Sequence, residues 1–144
     1  MKKTFVVIGL LWVAATLALA APAAYDEMRI QPFPKVLINA RYVYVASYDG
    51  DQFNPRVSPE DRLAIGNVQD ALRQWGRYMI VNRPQEADMI LLVQSRPSED
   101  VVAVYDARLP GAIYLWRAMG RDGLQSGETP LVHQLQQAVE AADK

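Results

Sequence analysis

The chain has 144 residues, with 15 basic and 16 acidic side chains, one histidine and no cysteine. The lack of cysteine excludes disulfides, a thiol nucleophile and thiolate-held metal. A near-neutral charge argues against partners that select a basic surface, such as nucleic acid or an anionic membrane.

The first three residues, "MKK", are a short positive region, and "FVVIGLLWVAATLALA" follows without a charge. Ala18-Leu19-Ala20 supplies the small residues a signal peptidase requires. A signal peptide is therefore expected over residues 1–20, with Ala18 and Ala20 marking the cleavage point and the product periplasmic or secreted. The run is short for a membrane span, which takes about 20 apolar residues, and Pro22 follows it at once. With no cysteine to acylate, no stable membrane anchor is expected after cleavage. Removing Lys2 and Lys3 leaves 13 basic against 16 acidic residues, a net charge of −3.

Residues 21–34, "APAAYDEMRIQPFP", carry three prolines and no periodicity. They read as a leader that lies along the domain or stays mobile, ahead of one domain over 35–144. Arg41 to Tyr48 is the first strand, rich in β-branched and aromatic residues. The polar stretch "SYDGDQFNPRVSPED" (residues 47–61) leads out of it. Asp49-Gly50 is a turn signal, and Ser58-Pro59 with Asp61 three residues after the serine starts a helix. A calcium loop would alternate oxygen ligands and place glycine sixth. Here Phe53 stands at the third ligand position and Asn54 at the glycine position, so a bland loop is expected. The helix lines up Ala64, Ile65, Val68, Ala71, Leu72 and Trp75 at its 3.6-residue period, and Gly76 fits its C-cap.

Four more strands follow: residues 78–82, residues 89–95, one from Val101, and one from Ala112 after the Pro110-Gly111 turn. Thr129-Pro130 opens a second helix with the stripe Leu131, Val132, Leu135, Ala138, Val139 and Ala142. The order β-α-β-β-β-β-α predicts an α/β fold of α+β character, with one mixed five-stranded sheet. Its strand–helix–strand unit should be parallel, its last three strands an antiparallel meander, and its helices mainly on one face.

No sequence motif points to catalysis. His133 falls opposite the apolar stripe of its helix, and there is no G-x-S-x-G, H-E-x-x-H, P-loop or G-x-G-x-x-G. No catalytic residue, metal or cofactor is expected. Strand parity supplies a different lead. One face would carry Val43, Val45, Ile90, Leu92, Val102, Val104, Ile113 and Leu115, which suits packing against the helices. The other would carry Tyr42, Tyr44, Met89, Leu91, Tyr105, Tyr114 and Trp116. Tyrosine, tryptophan and methionine are enriched at interfaces, so Tyr42, Tyr44, Tyr105, Tyr114 and Trp116 form the candidate partner surface, unless the leader or a helix covers it.

The run "VQDALRQWGRYMIVNRPQEADMILLVQS" and the later "YLWR" resemble a group of uncharacterised exported bacterial envelope α/β domains, many of them lipoproteins. The most specific piece is "EADMILLV". Their shape is similar to the N-terminal domain of the periplasmic Tol-system propeller protein. The resemblance implies an envelope location and a compact α/β domain, and it carries over no catalytic residue. Lacking an acylated cysteine, this chain departs from the lipoprotein members. The sequence thus predicts a non-enzymatic exported binding or structural module, with a protein partner or self-association through the aromatic sheet face. The alternatives are an exported hydrolase using Asp49, Asp51 and Asp88, and a small-ligand carrier with that face as a pocket wall.

Overall fold

A computed structural model describes residues 31–144 except 110, 112 and 128. The expected signal segment, with Ala18 and Ala20, and residues 21–30 of the leader lie outside the described residues. Strands β1 (Tyr42–Ser47), β2 (Met79–Val81), β3 (Met89–Ser95), β4 (Asp100–Asp106) and β5 (Trp116–Gly120) form one sheet in the order β2-β1-β3-β4-β5. Helix α1 (Pro59–Trp75) links β1 to β2, and α2 (Pro130–Ala142) follows β5. β1 runs parallel to β2 and β3, while β3, β4 and β5 are an antiparallel meander. This is the α+β arrangement expected from the element order.

Local chemistry sets the helix ends. The Ser58 hydroxyl accepts the Asp61 N–H at 3.1 Å, Pro59 opens α1, and Gly76 closes it in the left-handed conformation at φ 75°. Its buried stripe is Ala64, Ile65, Val68 and Leu72, with Ala71 and Trp75 packed alongside. α2 begins at Pro130 as expected, although the Thr129 side chain makes no cap bond. Leu131, Val132, Leu135, Ala138 and Val139 are buried on it. Both helices pack against one sheet face, each fully buried aliphatic side chain there contributing about 1.5–3 kcal/mol.

The register decides which strand residues meet the helices. Val43 pairs with Met89, Val45 with Leu91, Val93 with Val102, Leu91 with Val104, and Val104 with Trp116. All of these residues are buried in the core cluster. Two expectations are corrected here. In β3 the helix-facing residues are Met89, Leu91 and Val93, not Ile90 and Leu92, which lie on the other face. Trp116 belongs to the core, only 1% exposed, and so drops out of the candidate partner surface.

A third correction concerns β5, which begins at Trp116, four residues beyond the expected start at Ala112. Ile113 consequently stands in the loop, 81% exposed, rather than facing the helices, and Leu115 is only partly buried against the core. The leader's end is also part of the fold. Phe33 is buried in the core, and the Gln31 carbonyl accepts the Trp116 indole N–H at 2.8 Å. Packing thus begins before Lys35.

Candidate functional site

Neither helix packs on the other sheet face, which is crossed over β1 by the segment joining β2 to β3, with its 3-10 turn Pro84–Glu86. The pairings place Tyr44, Ile90 and Tyr105 in one row across β1, β3 and β4, and Ala46, Leu92 and Ala103 in the next. Tyr44 and Tyr105 stand two strand spacings apart, about 10 Å, on either side of Ile90. In the next row a large residue sits between two small ones. Ala46 leaves room above the sheet and lines the cleft, while Ala103 is fully buried beside Arg117 of β5 and does not line it.

Loops raise walls around this floor. The turn after β1 brings Tyr48 and Gly50, the segment after β2 brings Pro84 and Gln85, and the end of β4 with the segment after it brings Asp106, Ala107, Leu109 and Gly111. The result is an apolar cleft of about 650 Å³, within the roughly 300–1,000 Å³ usual for small-molecule sites. Gly50 makes its turn possible. Its φ is 133°, and a Cβ there would run into the Asn54 amide.

Three tyrosines supply most of the polarity. The Tyr48 and Tyr105 hydroxyls lie 3.4 Å apart, a long hydrogen bond in which either can donate. Burial, then the Tyr48 hydroxyl, pushes the Tyr105 pKa up to about 12. Burial raises Tyr44 as well, and the nearby Asp51 carboxylate adds to the effect. Both phenols therefore stay protonated and able to donate at neutral pH. Asp106 is the one carboxylate among the lining residues, and Arg108 holds it. It accepts Arg108 Nε at 2.9 Å, Arg108 Nη2 at 2.8 Å and the Arg108 backbone N–H at 3.0 Å. The side-chain bonds from Arg108 hold its pKa below the ordinary carboxylate value.

Of the candidate partner surface, Tyr44 and Tyr105 line this cleft. Tyr42 lies at the other end of β1, 41% exposed beside exposed Met79. Tyr114 is exposed ahead of β5, with the Arg117 guanidinium 5.6 Å from its ring centre. Tyr48, Pro84 and Leu109 were not foreseen in a site. The only sequence signal for them is their place at strand ends, where loops build binding sites.

The rival carboxylates do not converge. Asp51 accepts the N–H groups of Phe53 and Asn54 at 2.9 and 3.1 Å, which makes the polar loop a set of turns. Asp88 sits at the start of β3, where its carboxylate accepts the N–H groups of Arg41 and Tyr42 at 2.9 and 3.0 Å. Those bonds lower its pKa. Asp88 is held at the first residues of β1, whereas Asp49 and Asp51 lie in the turn that follows its last residue. Among the described residues no three His, Asp or Glu side chains are grouped to hold a metal ion. His133 is exposed on α2, as its helical position implied.

A buried polar cluster that went unforeseen lies on the helix-facing side. Asp61, 1% exposed, accepts the Ser95 N–H at 2.7 Å and Arg96 Nη1 at 3.1 Å. Asp100 accepts the Ser95 hydroxyl at 2.8 Å and the Leu124 N–H at 3.0 Å. Every partner is internal, so this cluster ties the start of α1 to the β3–β4 turn and to the segment before α2. No known family model matches the chain, and no curated protein does.

Proposed function

We propose that the protein is an exported, non-enzymatic binding module that holds a small ligand in the cleft on the open sheet face. One observation carries the reading. A row of tyrosine, isoleucine and tyrosine lies beside a row of alanine, leucine and alanine, and loops wall this floor into a concave site. An apolar concavity of this volume with a few polar groups on its walls is the usual form of a small-ligand site. The concavity supports a small ligand over a broad protein docking face. With Asp106 ion-paired to Arg108 and Asp88 bonded to the backbone at the far end of β1, the cleft lining holds no pair of carboxylates to support the hydrolase alternative. Export rests on the charged, apolar and small-residue pattern that ends at Ala20.

Photocrosslinking tests the site. A photoreactive phenylalanine analogue replacing Tyr44 or Tyr105 in producing cells should yield a discrete adduct, read by intact mass. The same analogue replacing exposed Gln137 on α2 should yield none. Adducts at Gln137 alone, or at none of the three positions, overturn the proposal.

A further inference from the structure

The lining of the cleft specifies the class of ligand, an inference that rests on the binding reading above. No basic side chain is among its lining residues, and Arg117, whose charge reaches Tyr105, lies over the Tyr114 ring, so an anion in the cleft would leave water without a direct ion pair. Its one lining carboxylate, Asp106, accepts three bonds from Arg108, and Asp51 beside Tyr44 accepts two backbone N–H groups, so a cation finds no carboxylate without partners. A charged ligand is disfavoured on both counts.

The remaining polar groups of the floor and walls are chiefly hydroxyls. Tyr48 and Tyr105 face each other at 3.4 Å, long enough for either to exchange its partner for a ligand acceptor. Beneath them, Ile90 and Leu92 form an apolar floor, and Ala46 flanks Leu92 with minimal bulk. Ile90 stands between Tyr44 and Tyr105, whose strands are about 10 Å apart, so a flat group resting on Ile90 lies within reach of both rings. Offset or edge contacts with aromatic rings favour such a group.

We infer that the cleft takes an uncharged, flat, conjugated compound with a carbonyl-type acceptor, its ring over Ile90 and Leu92 and its acceptor on the Tyr48–Tyr105 hydroxyl pair.

The uncharged naphthyl ketone dye Prodan reports this directly, and anilinonaphthalene sulfonate is the anionic control of similar flatness. Purified protein should bind Prodan saturably at one site, with a blue-shifted emission. The sulfonate should bind at least tenfold more weakly. Leu92→Arg, checked for native circular dichroism, should abolish Prodan binding. Tyr105→Phe, which keeps the ring and removes the donor, should weaken it about tenfold, equivalent to about 1.4 kcal/mol. Equal binding of both dyes, or unchanged Prodan affinity in Tyr105→Phe, overturns the ligand class while the cleft remains a site. Failure of both dyes to bind overturns the cleft reading as well.

Discussion

The two faces of the sheet are built from the same kinds of residue and end in opposite states. On the helix side, Val43, Val45, Met89, Leu91, Val93 and Trp116 are buried to near completion. On the other side, Tyr44, Ile90, Leu92 and Tyr105 stay only partly covered, under loops rather than helices. A difference in hydrophobicity does not separate them, because β3 is apolar at five successive positions. Coverage separates them. Two helices close one face of a five-stranded sheet, and loops crossing the other shape it into a cleft.

Substitutions that exploit this contrast should differ in size. The largest effect is expected from Trp116→Ala, about 3–5 kcal/mol of lost stability in urea denaturation. Its ring leaves a cavity among core residues, and the Gln31 carbonyl loses its indole donor. A loss under about 1 kcal/mol, the range of a surface substitution, would return Trp116 to the open surface. Asp61→Ala comes next, at about 2–3 kcal/mol, because the Ser95 N–H and Arg96 lose their acceptor. The same denaturation experiment reads it, and a neutral result would break the account of the buried polar cluster.

Tyr44→Ala should cost about 1 kcal/mol or less while removing the crosslink or dye signal, since its ring is only half-buried. Global unfolding would make the open face part of the core. The smallest effect concerns pH. A phenol whose pKa is raised on folding favours the native state below its unfolded value of about 10, and that contribution fades as pH rises toward the folded value of about 12. Ultraviolet titration should show a tyrosine ionising near pH 12, absent from Tyr105→Phe.

Much of the fold was legible because local chemistry fixes it. Ser58-Pro59, Gly76 and Pro130 each act through neighbouring backbone, and both helical stripes follow from the 3.6-residue period. The faces of β3 were not legible. With Met89, Ile90, Leu91, Leu92 and Val93 all apolar, parity offers no contrast, and only pairing with Val43 and Val45 decides which residues point to the helices. β5 misled for a related reason. Ile113 and Tyr114 look like strand residues, whereas the strand itself reads "WRAMG". Trp116 depends on Gln31, 85 residues away, a pairing that no local pattern encodes. In the site, Tyr44 and Tyr105 were visible as aromatic strand residues, and Tyr48, Pro84 and Leu109 were not, because loops bring them in.

Chemical-shift mapping of isotope-labelled protein during Prodan titration tests the central claim most directly. Backbone amides of Ala46, Ile90, Leu92 and Tyr105 should move together and saturate with one affinity, while those of Val68 and Leu135 in the helices stay still. Shifts concentrated in α1 or α2, with the open sheet face unmoved, would contradict the account.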